Sequence, residues 1–337
     1  MTPLEQATQP AILVKGLVKR YGDVVAVAGI DLSVPPGSIY GLLGPDGAGK
    51  TSTLRCLTGV ITFQEGRVQI GGLDLRKEPG RVRELIGYMP QRFALYQDLT
   101  LDENLSFFAD LYRVSRRERA QRVPRLLEFT RLAGHNRKLA GQLSGGMRQK
   151  LALCTVLVYR PRVLLLDEPS TGVDPVSRRE FWQILLELKQ EGVAILVSTP
   201  YLDEAEKCDR IGMMARGQLL VEGTPDELKA GFPFPVLAVA AQPLFEARQV
   251  LGRLPGVRTA VLHGDAVHVV VDDAAAAQRQ VADALAAAGI QLHQLQAVPA
   301  GLEDVFVHEL QARGLASPGS LQRGGEAGVS HPVRGGA

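Results

Sequence analysis

The 337 residues predict an α/β core followed by a smaller α+β domain. Three observations carry that fold class. Two short apolar runs, Val163-Leu-Leu-Leu166 and Val193-Ala-Ile-Leu-Val197, flank a helical stretch over 176–190. They are too short for helices and do not alternate, which is the pattern of parallel strands buried on both faces. Strand, helix, strand in that order implies a right-handed crossover. A glycine-dense loop, Gly44 to Gly49, follows a third apolar run and opens a helix. Beyond Gly231-Phe-Pro-Phe-Pro235 the elements read β-α-β-β-α-β.

Taken in order, residues 11–43 are rich in Val, Ile and Leu, with turn signals at Tyr21-Gly-Asp23 and Pro35-Pro-Gly37. Short strands are expected there, the last over Ile39–Leu43. A helix should run from about Lys50 to Leu57, and Val68-Gln-Ile70 before Gly71-Gly72 reads as a hairpin. Residues 102–160 are expected to be mostly helical, with many arginines on polar faces. After Val197 comes Ser198-Thr199-Pro200, then an acidic stretch that reads as a helix. The composition shift at 231–235 marks a linker between a domain over 11–231 and one over 235–313. The second domain reads strand Val236–Ala241, helix Leu244–Leu254, hairpin Val257–Val271 turning at His263-Gly-Asp265, helix Ala274–Ala288 and strand Ile290–Val298. That is a ferredoxin-like order. A last helix is expected over Leu302–Gln311. The tail, 316–337, is rich in Gly, Ser and Arg and is expected to be disordered.

Composition narrows the function classes. Apolar residues make up 45% of the chain, enough for a sizeable core. Lys plus Arg (38) nearly cancels Asp plus Glu (36), so bulk charge argues against a nucleic-acid partner. Cys56, Cys154 and Cys208 stand far apart and the six histidines are scattered, which argues against a disulfide framework or a zinc site. No apolar run approaches the ~18 residues that span a bilayer. The first ten residues, MTPLEQATQP, contain no apolar core of a signal peptide.

Gly44-Pro-Asp-Gly-Ala-Gly-Lys-Thr51 fits the pattern G-x-x-x-x-G-K-[ST] and sits between a predicted strand and a predicted helix. Glycines let backbone N–H groups converge on phosphate oxygens, and the helix N-terminus adds its positive end. Lys50 can reach the β- and γ-phosphates, and the Thr51 hydroxyl can ligate Mg²⁺. Val163-Leu-Leu-Leu-Asp-Glu168 is a buried strand ending in two carboxylates. Asp167 can hold Mg²⁺ and Glu168 can polarise an attacking water. Leu143-Ser-Gly-Gly-Met-Arg-Gln149 precedes an apolar helix. Ser144 is a good N-cap, and Met147 in the third position completes no capping box. Ser144, Gly145 and Gly146 can form a second anion cradle, so that two copies facing head to tail sandwich two nucleotides.

These motifs together resemble the nucleotide-binding subunit of an ABC transporter, over roughly residues 11–230. The resemblance implies a P-loop NTPase core with a β-subdomain and a helical subdomain over about 92–160, which docks on a membrane partner. It implies ATP with Mg²⁺, and places Gly44, Pro45, Asp46, Gly47, Ala48, Gly49, Lys50, Thr51 and Ser52 around the phosphates. Asp46 stands where many members have Asn. Leu143–Gln149 resembles the signature sequence and Asp167-Glu168 the Walker B pair. Tyr21 matches the aromatic that stacks on adenine. Gln91 matches the Q-loop glutamine, which contacts Mg²⁺ or the attacking water. Asp174, in Gly172-Val-Asp174, matches the D-loop that crosses to the other subunit. Pro299-Ala-Gly-Leu-Glu-Asp-Val-Phe306 resembles the end of exporter subunits that pair with ABC-2 permeases. The implied role is an ATPase subunit peripheral on the cytoplasmic face of a membrane; a soluble ABC ATPase acting on ribosomes or DNA, or a binding-only cassette, is the alternative.

At one position the chain departs from that pattern. The family normally reads Ser-Thr-His after this strand, and the histidine contacts the γ-phosphate. Here Pro200 stands in its place, with neither an N–H nor an ionisable group. A weakened site of its own, and a heterodimer in which this chain's signature completes a partner's site, are expected from that departure.

Overall fold

A computed structural model describes residues 9–92 and 95–315; the predicted disordered tail lies outside the described residues. The chain divides after Thr224 into two compact units. In the first, β1 (Ile12–Tyr21), β2 (Val24–Val34), β4 (Glu65–Ile70) and β5 (Leu73–Asp74) form an antiparallel sheet in the order β2-β1-β4-β5. Its inward residues, among them Ile12, Val14, Leu17 and Ile70, are fully buried.

The second sheet of this unit runs β10-β9-β3-β8-β7-β6. Its strands are β3 (Ile39–Leu43), β6 (Ile86–Met89), β7 (Val163–Asp167), β8 (Ala194–Thr199), β9 (Arg210–Ala215) and β10 (Gln218–Gly223). All neighbours are parallel except β9 and β10. Every residue of β3, β7 and β8 is buried, which is why these strands are apolar without alternation. The β8 ladder extends beyond the apolar run, because Ser198 and Thr199 pair with Leu42 and Leu43. The helix Pro175–Gln190 bridges β7 and β8, capped by Asp174. The acidic stretch after Pro200 forms a single turn of helix, Leu202–Ala205.

The stretch expected to be mostly helical resolves into three helices, Leu101–Leu111, Arg116–Phe129 and Gly145–Leu157. Between the last two, from Arg131 to Ser144, the chain is turns with one 3-10 turn, Ala140–Gln142. Arg131, the residue after the Thr130 cap, takes a left-handed φ of 56°, the conformation that ends a helix rather than extends it. Thr100 and Ser115 each complete a capping box, with Glu103 and Glu118. Leu101, Leu105, Leu127, Leu143, Leu151 and Cys154 form a separate small core.

The second unit begins at Pro225, ahead of the Gly231–Pro235 stretch. The helix Pro225–Ala230 packs on the last helix, Leu302–Ala312, which assigns it to this unit. The strands β11 (Val236–Gln242), β12 (Val257–His263), β13 (Ala266–Val271) and β14 (Gln291–Val298) lie in the order β12-β13-β11-β14, all antiparallel. This is the ferredoxin-like arrangement. Leu237, Val239, Val267, Val269, Val281 and Leu285 form its core with the helices Leu244–Leu251 and Ala274–Ala287.

Candidate nucleotide site

The site lies where β3, β7 and β8 end. In open parallel sheets the C-terminal strand ends form the binding crevice. Gly44 leaves β3, and its N–H donates to the Thr199 carbonyl at 3.3 Å. Gly47 and Gly49 adopt φ of 77° and 106°, which L side chains avoid. A Cβ on Gly44 would lie 2.2 Å from the Met214 carbonyl, and one on Gly49 2.3 Å from the Ala26 carbonyl. The loop therefore lies flat against β9 and β2. Ala48 is buried, whereas Pro45, Asp46 and Gly47 are exposed at the tip.

Lys50 opens the helix Lys50–Leu57 and is buried. Its ammonium donates to the carbonyls of Gly44 (2.7 Å) and Pro45 (3.0 Å) and pairs with Glu168 at 3.1 Å. All three ammonium protons are thus engaged. The Thr51 hydroxyl donates to Asp167 Oδ1 at 3.0 Å. The same oxygen accepts from the Ser198 hydroxyl at 2.8 Å, while Asp167 Oδ2 is buried without a hydrogen-bond partner. Burial pushes the Asp167 carboxyl above the usual carboxylate range; the Ser198 and Thr51 hydroxyls oppose that, and the neighbouring Glu168 charge adds to it.

Glu168 follows β7 with φ of 47°, uncommon for a residue with a side chain. Its backbone is held there by Ser198, whose carbonyl and hydroxyl both accept from the Glu168 N–H, at 3.2 and 3.0 Å. Its carboxylate is held by Lys50, by the Gln91 amide at 2.8 Å and by the Thr171 hydroxyl at 3.4 Å. Fixed strain of this kind persists where surrounding bonds over-determine it.

Hydrogen bonds and the Lys50 ion pair therefore join Lys50, Thr51, Gln91, Asp167 and Glu168 into one cluster. Sequence reasoning missed Ser198, which joins both carboxylate residues; its signal was a hydroxyl ending a buried apolar strand. It also missed Glu204, a fully buried carboxylate that accepts from Thr199 Oγ1 at 2.6 Å and from the Ser170 hydroxyl. Arg178 Nε stands 3.7 Å from Glu204, and its guanidinium lies over the Tyr201 ring.

Tyr21, Ser144 and Asp174 stand outside the bonded cluster. Tyr21 ends β1, 46% exposed, with the Lys19 ammonium 4.6 Å from its ring centroid. Ser144 is exposed and caps its helix through the Met147 N–H at 3.3 Å. Asp174 caps its own helix, accepting from Val176 and Ser177. Gln91, Gly145, Arg148, Thr171 and Gly172 line a common cleft of about 350 Å³, so the segment after β6, the first turns of the Gly145–Leu157 helix and the segment after β7 meet. Among the described residues no helix is long and apolar enough to cross a membrane.

In this buried cluster one ammonium faces two carboxyl groups, and one carboxyl oxygen, Asp167 Oδ2, lacks a partner. That donor set suits a hard divalent cation bound through few protein oxygens, the way Mg²⁺ is held beside phosphates.

The chain is similar to known proteins over both of its units. A family model described as ABC transporter matches residues 27–171. Another, described as ATP-binding protein DrrA1-3-like, C-terminal domain, matches residues 223–309. The probable multidrug ABC transporter ATP-binding protein YbhF of Escherichia coli is 46% identical over 268 residues, 77% of this chain and 46% of YbhF. This chain thus spans about half the length of YbhF. The daunorubicin resistance ATP-binding protein DrrA3 of Streptomyces coeruleorubidus is 38% identical over 301 residues, 88% of this chain and 95% of DrrA3. A solved structure of an ATP-binding subunit of an ABC transporter matches with a TM-score of 0.60 at 30% identity, covering 66% of this chain and 93% of that one. On the strength of these matches, the chain belongs to the ATP-binding proteins of ABC transporters, a family of ATPases.

Proposed function

We propose that this chain binds Mg²⁺–ATP through Lys50, Thr51 and Asp167 and powers an exporter from the cytoplasmic face of a membrane, beside an ABC-2 permease. The single observation that carries the reading is the bonded cluster of Lys50, Thr51, Gln91, Asp167 and Glu168 at the strand ends. The export direction is supported by the relatives, which are named for multidrug transport and daunorubicin resistance. Those relatives are transporter subunits, so action on ribosomes or DNA is not favoured.

Thr51, Asp167 and Gln91 are the residues that would hold Mg²⁺, which when bound neutralises phosphate charge. Lys50 and the loop N–H groups orient the phosphates. Glu168 accepts the proton of an attacking water. Tyr21 stacks on the base. Ser144 and Gly145 face the nucleotide of a second subunit, and Asp174 lies at that junction, so ATP closes a sandwich dimer. Binding of ATP by the full chain tests the core of this reading: equal affinity in wild type and Lys50→Ala would refute it.

Pro200 supports an unequal dimer. Proline offers no donor. Its neighbours are committed elsewhere: Thr199 Oγ1 to Glu204 and the Tyr201 N–H, the Tyr201 ring to Arg178. We infer that this chain's own site turns over slowly and that its intact Ser144-Gly-Gly146 segment completes a partner's site. Ser144→Arg is expected to abolish ATPase of the complex, and Glu168→Gln to cost little. A chain that hydrolyses ATP alone at an ordinary transporter rate, and loses that activity in Glu168→Gln, would overturn the inference. A cassette that binds ATP and regulates without hydrolysis is not favoured, because the relatives are ATP-binding proteins of transporters; measured turnover with and without the partner subunit checks this.

A further inference from the structure

Residues 113–138 hold nine Lys and Arg against two Asp and Glu, in a chain whose net charge is +2. The excess is sharpest at the turn between the helices Leu101–Leu111 and Arg116–Phe129. Leu111 and Tyr112 are 61% and 46% exposed there, and Arg113, Arg116 and Arg117 are exposed beside them. The nearby carboxylates are engaged by other residues: Asp110 pairs with Arg119 at 3.1 Å, and Glu118 with Arg122 and the Ser115 cap. Among the described residues no acidic side chain pairs with Arg113, Arg116 or Arg117.

Two of these arginines oppose the helix they stand on, and the third sits at a costly backbone position. Arg116 and Arg117 occupy the first turn of a helix, where a cation opposes the positive end of the dipole. Arg113 takes a left-handed φ of 56°, a position that glycine or asparagine fills at less cost. Two cations placed against a helix dipole and a third at a strained backbone position, beside an aliphatic and an aromatic side chain, have the chemistry of a bilayer interface. A base-stacking role is less well served, because one face of the Tyr112 ring already stacks on Tyr159 at 3.8 Å.

We propose that the turn Leu111–Arg117 is a docking surface for anionic lipid headgroups, with the three arginines on phosphate and Leu111 and Tyr112 at the acyl boundary. The inference goes beyond the nucleotide-site reading and does not depend on ATP binding. Flotation of the purified full chain with vesicles tests it. Vesicles of phosphatidylcholine containing phosphatidylglycerol should bind the chain, and pure phosphatidylcholine at least tenfold less. Half-molar salt should release it. Arg113→Gln/Arg116→Glu/Arg117→Glu should weaken binding about a hundredfold, at the strength expected of three interfacial arginines. Leu111→Ser should weaken it severalfold. The triple variant should melt no lower than wild type, because acids suit the first turn of a helix; if it melts lower, the triple glutamine variant takes its place with the same expected loss. Equal binding to neutral and anionic vesicles, or unchanged binding by the variant, overturns the proposal. So does tighter binding to a DNA oligomer than to anionic vesicles, lost in the same variant.

Discussion

Lys50 already spends its three protons on Gly44, Pro45 and Glu168, so a phosphate must displace at least one of these acceptors. Charge-assisted hydrogen bonds carry about 1.5–3 kcal/mol, so Lys50→Ala should weaken ATP binding about 10–100-fold, read by calorimetric titration. Asp167 makes a separate prediction through its raised pKa. A carboxyl whose folded pKa exceeds its unfolded one contributes stability below the unfolded value and loses it as pH rises through the folded value. At neutral pH the ionised Asp167 therefore costs stability. Asp167→Asn should raise the melting temperature of the nucleotide-free chain at pH 7, lose that gain as the pH is lowered from neutral to ~4, and abolish the Mg²⁺ dependence of ATP binding. A lower melting temperature at pH 7 would contradict it. The residue types of this cluster were legible, because glycines, a lysine and paired carboxylates fall in one pattern. Its bonds were not, since Gln91 and Glu168, or Ser198 and Asp167, meet only through the sheet order.

Among elements, the Gly145–Leu157 helix approaches its neighbour closely. A Cβ on Gly146 would lie 2.3 Å from both Cβ and Oγ of Ser177, on the helix Pro175–Gln190. Gly146→Ala should destabilise the chain by about 1–3 kcal/mol, the usual cost of overpacking. Ser177→Gly in the same chain should restore most of it, as measured by denaturant unfolding; no rescue would show that the glycine serves another purpose. The strands were well read from sequence because burial on both faces leaves an unbroken apolar run. The segment after Phe129 was not, since its arginines and leucines have good helix propensity and the chain turns there to reach the Ala140–Gln142 turn. Two capping boxes, Thr100 with Glu103 and Ser115 with Glu118, were present in the sequence and would have fixed both helix starts.

At the scale of the molecule, the second unit has its own core, and its ferredoxin-like order was legible from the succession of strand and helix segments and the His263-Gly-Asp265 turn. Its start was less so, because Pro225–Ala230 reads as an ordinary surface helix until its packing on Leu302–Ala312 is known. A fragment of residues 225–315 should therefore unfold cooperatively and at a higher temperature than one of residues 235–315; equal midpoints would show that the first helix adds nothing. The clamped glycines of the first unit have a consequence for heredity. The atoms that exclude a side chain at Gly44 and Gly49 are the main-chain carbonyls of Met214 and Ala26, which every amino acid carries. No exchange of side chain at those neighbours can make room. In a library selected for ATP binding, revertants of Gly44→Ala or Gly49→Ala should return at the mutated codon itself, and second-site suppressors at codons 26 and 214 should be missing.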